Sequence, residues 1–215
     1  MAEKVLRTIL DEKIIAIIRN VNSKQIDRVV EALLDGHIRC MEFAFSGGKD
    51  YNEDEILYLI NRIRDKYADE VIVGAGTVMT IDQVERACNM GAQYMISPNV
   101  NKEVISKTKE MGCVSIPGAF TPTEITKAYE YGADIVKIFP CNIGKNYLRD
   151  VSVPLYMIPM MAVGGINQNN IYDILHSGAV AVGVGGNLVS IDLIQEGKYS
   201  ELTARARELY NEANR

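Results

Sequence analysis

Eight short apolar runs, separated by longer segments of helical periodicity, constrain the fold of this chain more than any other feature of its sequence. Most of these runs are apolar on successive residues, which is typical of strands buried on both faces of a parallel sheet. They occupy residues 14–18, 38–45, 71–75, 93–97, 113–117, 134–139, 158–163 and 179–184. Eight strands that each precede a helix predict an α/β fold, a single (β/α)8 TIM barrel over residues 1–215 with an N-terminal helix. A doubly wound open sheet is the alternative, because strand count does not prove closure.

Polar residues and glycines mark the expected ends of the helices. A helix capped by Asn22 or Ser23 should stop at Gly36, and one that starts at Asn167 should end near Gly178. Three further helices are expected to begin at Thr80, Asn101 and Thr121, the last with a capping box, and to stop at Gly91, Gly112 and Gly132. The stretch 198–213 carries Leu202, Ala206, Leu209 and Tyr210 at helical spacing and should cover the outside of the barrel.

The composition argues against several classes of function. A net charge of −5 and a pI near 5.2 argue against a nucleic-acid-binding surface, although they allow a small local anion site. The N-terminal segment lacks the apolar region of a signal peptide and no run approaches the ~20 apolar residues of a membrane span, so a cytoplasmic protein is expected. The cysteines and histidines show no metal-ligand spacing, so we expect reduced thiols and no metal site. These residues are Cys40, Cys88, Cys113, Cys141, His37 and His176.

Lys137 is unusual because it lies inside the apolar run DIVKIF, between Val136 and Ile138. A lysine there must point into the barrel or against the helical shell, and burial lowers the pKa of its amine. A neutral amine near physiological pH is what attack on a ketone requires. A structural lysine paired with a buried carboxylate is the alternative.

Glu42 is the second charged residue in an apolar strand, between Met41 and Phe43. A carboxylate there needs a partner or a raised pKa. Both residues are explained if they point into the barrel near its C-terminal end, with Glu42 moving protons while Lys137 forms a covalent bond. A buried ion pair is again the alternative. Arg19 ends the first strand and points at the same face, where it could hold a carboxylate or phosphate or be a solvated loop residue.

Three glycine-containing segments follow predicted strands and suit the binding of an anion. They are GAGT (74–77), VGGIN (163–167) and GVGGN (183–187), and the last two are expected to open helices. The loops after strands seven and eight form the recurring phosphate site of these barrels, together with the amides of helix N-termini. Their joint placement is a stronger signal than any single glycine pair.

The order and spacing of several motifs resemble the bacterial 2-keto-3-deoxy-6-phosphogluconate / 4-hydroxy-2-oxoglutarate aldolases. The matching motifs are ME (41–42), VGAGTV (73–78), GAQYMISP (91–98), IPGAFTPTE (116–124), VKIFP (136–140), VGGI (163–166) and VGVGGNLV (182–189). The resemblance, which extends from about Ile14 to Leu188, implies a homotrimer with Lys137 as the Schiff-base lysine and Glu42 as the proton shuttle. It also implies substrate contacts at Thr77, Pro98 and Phe139, and phosphate contacts at Gly164, Gly165 and Gly185.

The chain departs from this family at four positions. Ala44 and Ser46 stand where many members have a threonine and an arginine, and the arginine helps hold an anionic group of the substrate. Val163 replaces a threonine before the glycine pair, and Gly186 replaces a serine after strand eight. The lysine and glutamate are retained, so these changes bear on the substrate more than on the reaction.

The resulting prediction is a class I aldolase that cleaves a 3-deoxy-2-oxo sugar acid to pyruvate and an aldehyde. This acid is expected to carry a phosphate at C6. No metal or organic cofactor is expected, because the lysine supplies the electron sink. Three alternatives are a 4-hydroxy-2-oxoglutarate aldolase that yields glyoxylate, a non-covalent phosphosugar isomerase or epimerase, and a non-catalytic phosphosugar-binding protein.

Overall fold

In the part of the chain that the structure describes, nine strand segments form one parallel sheet in the order β5-β4-β3-β2-β1-β9-β8-β7-β6. The computed structural model describes residues 1–45, 52–68 and 70–215. The strands are β1 (Ile14–Ile18), β2 (Cys40–Ala44), β3 (Ile72–Gly76), β4 (Tyr94–Ile96), β5 (Val114–Ile116), β6 (Gly118–Ala119), β7 (Val136–Ile138), β8 (Met160–Val163) and β9 (Ala179–Val184).

The sheet closes because its two terminal segments are halves of one strand. Only Pro117 separates β5, which pairs with β4, from β6, which pairs with β7. The amide of Lys137 donates to Pro117 O at 2.8 Å, so the ladder continues across the interruption. Counted in this way, the sheet is a ring of eight parallel strands, and the predicted (β/α)8 barrel is confirmed while the open sheet is not.

Ten helices accompany the strands in the described part of the chain. They are α1 (Ala2–Glu12), α2 (Ile26–Asp35), α3 (Glu53–Tyr67), α4 (Ile81–Asn89), α5 (Lys102–Glu110), α6 (Pro122–Glu130), α7 (Lys145–Ser152), α8 (Ile171–Leu175), α9 (Ile191–Gln195) and α10 (Tyr199–Ala213). Helix α1 closes the N-terminal end of the barrel, since Val5 and Ile9 belong to the interior cluster together with Ile15 and Cys40. The opposite, C-terminal end is therefore the open one.

Alternate strand residues divide the core into two layers, as the two-residue period of a strand requires. The outer layer packs between strands and helices and includes Ile14, Ala16, Met41 and Phe43. The inner layer fills the barrel. It contains Ile15, Ile17, Cys40, Ala44, Tyr94, Ile96, Val114, Ile116, Ile135, Met161, Val163 and Ala181.

The expected helix caps are confirmed at three helices. The side chains of Thr80, Asn101 and Thr121 each accept a backbone hydrogen bond in the first turn of α4, α5 and α6. In α6, Glu124 completes the capping box by accepting from the backbone amide of Thr121 at 2.8 Å. Helix α10 packs against α2 and α8 with Leu202, Ala206 and Leu209 buried, as predicted, whereas Tyr210 is only half-buried.

Two predicted helix starts are wrong. Helix α2 begins at Ile26 rather than after Asn22 or Ser23, because Asn22 Oδ1 accepts from the amide of Lys24 and holds a turn. The helix predicted from Asn167 begins at Ile171. Asparagine side chains compete with the helix for backbone groups, which favours turns at these positions. Along the described residues, no helix is both long and apolar enough to cross a membrane.

Candidate active site

Lys137 points into the barrel from the middle of β7. It pairs in register with Gly118 on β6 and Met161 on β8, and Ile135, two residues before it, belongs to the interior cluster. The side chain is 7% exposed, and its Nζ lies 4.9 Å from the centroid of the Phe139 ring. Burial lowers the pKa of the Lys137 amine below its usual value, although the nearby Glu42 charge acts in the opposite direction.

Glu42 points into the barrel from β2, which is separated from β9 by β1. Its side chain lies over the backbone of β3, where a Cβ added at Gly76 would overlap Glu42 Oε1. The residue is 3% exposed, and Oε2 is buried with no hydrogen-bond partner among the residues that the structure describes. Burial raises the pKa of this carboxyl, and the charges of Lys137 and Arg19 partly offset the rise.

The electrostatics of the pair bring two unlike pKa values toward each other. The pKa of Lys137 is lowered and the pKa of Glu42 is raised, in both cases mainly because burial removes water from the charged group. Arg19 is exposed at the end of β1, and its charge lowers the pKa of both groups. Shifts in these directions lower the free-energy difference for proton transfer between an amine and a carboxyl, which favours general acid–base catalysis.

A pocket of about 280 Å³ opens at the C-terminal end of the barrel, next to Lys137. Its wall combines glycine backbone with a few side chains, namely Ile17, Arg19, Phe139, Val163, Gly164, Gly165, Ile166, Gly183, Gly185, Gly186 and Asn187. The volume is near the lower end of the range of roughly 300–1,000 Å³ for small-molecule sites. Larger pockets of about 480 and 460 Å³ lie elsewhere on the surface of the described residues, and their walls include neither Arg19 nor Phe139. The smaller pocket is the candidate site because its wall holds Arg19, whose charge acts on Lys137 and Glu42, and Phe139, whose ring lies 4.9 Å from Lys137 Nζ.

The glycine loops after β8 and β9 form one side of this pocket. Gly164 and Gly165 have φ values of 115° and 72°, which favour glycine. A Cβ added at Gly185 or Gly186 would meet no atom within 4 Å, so the backbone there faces open space. Asn187 joins the two loops because its Nδ2 donates to Ile166 O at 2.7 Å.

The prediction that these loops open helices is wrong. The segment after β8 folds into turns, in which the Asn170 side chain accepts from the amide of Asn167 at 2.8 Å and donates to Gly165 O at 2.9 Å. The segment after β9 makes a single turn in which the amide of Leu188 donates to Gly185 O. Helices α8 and α9 begin later and have five residues each. An anion in the pocket would therefore meet loop amides rather than a helix N-terminus.

The remaining predicted site residues differ in how directly they reach the pocket. Thr77 follows β3 with a φ of 58°, an unusual conformation for a β-branched residue. Pro98 follows β4, and its carbonyl packs against Gly118, the register partner of Lys137. Phe139 is 39% exposed and lines the pocket. Ser46 lies outside the described residues.

Two residues of the site, Ile17 and Tyr94, were not predicted from the sequence, whereas Gly183, Ile166 and Asn187 line the pocket within the predicted GVGGN and VGGIN segments. Ile17 also lines the pocket, and the alternation of inward residues along β1 could have identified it. Tyr94 is fully buried inside the barrel, its hydroxyl has no hydrogen-bond partner among the described residues, and its ring occupies the space left by Gly74. Burial is the main cause of the raised pKa of this phenol, and Cys40 and Glu42 add to the rise.

The arrangement suits covalent chemistry on a carbonyl compound. A buried amine of lowered pKa can remain neutral and attack, and a carboxyl of raised pKa can deliver and accept protons beside it. No cluster of three or more His, Cys, Asp or Glu side chains suited to a metal ion occurs within residues 1–45, 52–68 and 70–215.

Comparison with known proteins is consistent with this site. The chain matches the aldolase family described as KDPG and KHG aldolase over residues 4–205. A 2-dehydro-3-deoxy-phosphogluconate aldolase of Treponema pallidum (strain Nichols) is 33% identical over 183 residues, which cover 84% of this chain and 83% of that protein. A 2-dehydro-3-deoxy-6-phosphogalactonate aldolase of Escherichia coli (strain K12) is 31% identical over 204 residues and 94% of each chain. The solved structure described as native KDPGal has a TM-score of 0.84 at 28% identity and covers 94% of both chains.

Proposed function

We propose, since this chain belongs to the KDPG and KHG aldolase family, that it cleaves a 3-deoxy-2-oxo sugar acid to pyruvate and an aldehyde. Membership of this family makes the chain an aldehyde-lyase. Lys137 forms the Schiff base, and Glu42 moves the protons. The observation that carries this assignment is the buried Lys137 amine, of lowered pKa, beside the buried carboxyl of Glu42 at the open end of the barrel.

The reaction begins when the neutral Lys137 amine attacks the C2 ketone. The resulting oxygen receives one proton from the attacking amine and one from Glu42, water leaves, and an iminium forms between Lys137 and C2. The C4 hydroxyl then gives up its proton, the C3–C4 bond breaks, and its electron pair passes into the iminium to form an enamine while the aldehyde leaves. Protonation at C3 and hydrolysis return pyruvate and the free lysine.

The pocket supports a substrate with an anionic end. Amides of the glycine loops, at Gly164, Gly165, Gly185 and Gly186, are proposed to hold a phosphate on the aldehyde portion. Arg19 adds a positive charge at the same opening. The relatives act on phosphogluconate-type and phosphogalactonate-type acids by their names, so both C4 epimers are candidate substrates.

A borohydride-trapping experiment tests the covalent step. Reduction in the presence of pyruvate should add about 72 Da to Lys137 and block cleavage there by trypsin, so that residues 128–145 appear as one peptide. Lys137→Arg should lose both the adduct and turnover. Lys145→Arg is the matched control, since Lys145 is exposed and pairs with Asp173 at 2.6 Å outside the pocket.

The Lys137→Arg variant also distinguishes the aldolase from the other candidate functions. An isomerase or epimerase without covalent catalysis would retain appreciable turnover in Lys137→Arg, and a binding protein would bind phosphosugars without releasing an aldehyde. An unmodified Lys137, together with activity that requires a divalent metal, would overturn the aldolase proposal. A pyruvate-release screen over both phosphorylated epimers, their unphosphorylated forms and 4-hydroxy-2-oxoglutarate would identify the substrate.

The quaternary structure and location are proposals of the same kind. We propose a homotrimer, as the resemblance to the family implies, and a cytoplasmic location, as expected from the sequence. Sedimentation analysis of the purified protein tests the trimer, and a monomer would contradict it.

A further inference from the structure

Two cysteines that are far apart in the sequence meet at the N-terminal side of the barrel. Cys88 lies in the last turn of α4, and Cys113 immediately precedes β5. Their sulfur atoms are 2.8 Å apart, and both are free thiols. Cys88 is half-buried and Cys113 is 6% exposed, so the pair reaches solvent through Cys88.

We propose that Cys88 and Cys113 form a reversible disulfide when the protein meets a peroxide or a disulfide oxidant. A disulfide has an S–S length of about 2.05 Å, so the two sulfurs need to approach by only about 0.8 Å. The position of Cys113 is already constrained, because its sulfur also lies 3.3 Å from Ala92 O, to which it can donate. This inference is independent of the proposed aldolase activity.

Exposure identifies Cys88 as the thiol that meets the oxidant, because Cys88 is half-buried whereas Cys113 is only 6% exposed. The Cys88 sulfur attacks one oxygen of hydrogen peroxide, the O–O bond breaks, and the hydroxide that leaves takes up the thiol proton to give water. The Cys113 sulfur then attacks the sulfenic acid on Cys88, forms the S–S bond and releases the second water. Two thiols and one peroxide thus yield one disulfide and two waters.

The position of the pair predicts a structural effect rather than an effect on turnover. Cys113 precedes the N-terminal end of β5, whereas Lys137 pairs with Gly118 at the other end of this barrel strand. The disulfide would close a loop between two residues 25 positions apart and restrict the unfolded chain. We expect oxidation to raise Tm by about 5–10 °C.

Oxidation of the intact protein followed by peptide mapping tests the proposal. After treatment with hydrogen peroxide or diamide and alkylation of the remaining thiols, trypsin should release peptides 87–102 and 110–127 as one cross-linked species, about 2 Da lighter than their sum. A reductant should separate the two peptides and reverse the rise in Tm.

Variants of three cysteines provide the controls. Cys88→Ser and Cys113→Ser should each abolish the cross-link and the rise in Tm, whereas Cys141→Ser should retain both, since Cys141 is buried after β7. Separate alkylation or overoxidation of Cys88 and Cys113 in the folded wild-type protein would overturn the proposal. An equal rise in Tm in Cys88→Ser would also overturn it.

Discussion

Lys137 and Glu42 are buried groups whose charges influence each other and are both influenced by Arg19. Burial is the largest cause of the shift in each pKa, so neither group behaves as it would in water. The remaining causes have opposite signs for Lys137, because Glu42 raises the pKa of the amine and Arg19 lowers it. Because the two effects on the Lys137 pKa are opposite in sign, substitutions of Glu42 and Arg19 can be distinguished by how they change the pH dependence of activity.

The pH dependence of kcat/KM should shift in opposite directions when these neighbours are neutralised. The proposed mechanism requires neutral Lys137, so kcat/KM should rise with pH through a pKa below the usual lysine value of 10.5. In Glu42→Gln this ascending limb should move to lower pH, and kcat should fall by about 10²–10⁴-fold with the loss of proton transfer. In Arg19→Gln the limb should move to higher pH. Two results would contradict this electrostatic account. One is an ascending limb that shifts in the same direction in both variants, and the other is a wild-type limb that lies at the usual lysine pKa.

Gly76 is predicted to be essential for the position of Glu42. A methyl group in Gly76→Ala would overlap Oε1 of the glutamate and displace the carboxyl from its place over β3. We expect kcat to fall by about 10²-fold, since general acid–base catalysis of that size depends on geometry. Circular dichroism should show an intact fold, and borohydride with pyruvate should still modify Lys137, more slowly. An enzyme with wild-type kcat would show that the position of Glu42 over Gly76 is unimportant.

At the scale of the elements, helix starts were predictable where a side chain caps its own helix. Thr80, Asn101 and Thr121 carry the capping signal locally, and all three act as caps. Asn22 and Asn167 carry the same residue type but hold turns, because their side chains bond to backbone amides ahead of the helix. The sequence pattern alone does not distinguish these two uses of asparagine.

The capping box of α6 provides a stability prediction. Thr121→Ala removes the oxygen that accepts from the amide of Glu124, and we expect the free energy of unfolding to fall by about 1 kcal/mol. Thr126→Ala is the matched control, because Thr126 lies in the same helix and its hydroxyl only donates back to Pro122 O. That variant should change stability by less than about 0.5 kcal/mol. Urea denaturation measures both, and equal losses would argue against the cap.

At the scale of the whole molecule, the barrel is held by contacts between distant parts of the chain. Helix α1 closes one end, β5 and β6 join the two ends of the sheet, and α10 returns to pack on α2. Lys13 at the end of α1 also donates to Ala213 O at 3.3 Å. The first and last helices are therefore part of one cooperative structure.

Gly36 allows α2 and α10 to approach closely. A Cβ there would overlap the Cβ of Ala206, although the φ of −91° is open to any residue. Gly36→Ala should therefore lower the free energy of unfolding by about 1–3 kcal/mol through overpacking. Ala206→Gly in the same chain should recover part of the loss, and a double-mutant cycle in urea measures the coupling. If the effects of Gly36→Ala and Ala206→Gly on the free energy of unfolding are strictly additive, the two positions are not in the close contact described.

The sequence by itself determined the barrel and the capped helices, and it singled out Lys137 and Glu42 as the residues proposed for catalysis. It could do so because these features depend on local signals: apolar runs buried on both faces, polar caps, and charged residues placed where burial is costly. The tertiary structure alone decided that Glu42 lies over Gly76, that Asn187 joins two loops, and that Cys88 meets Cys113. It also decided that the glycine loops end in turns, since competing backbone hydrogen bonds there depend on neighbouring segments. Contacts of this kind depend on how strands tilt and loops close in three dimensions, which a one-dimensional pattern does not encode.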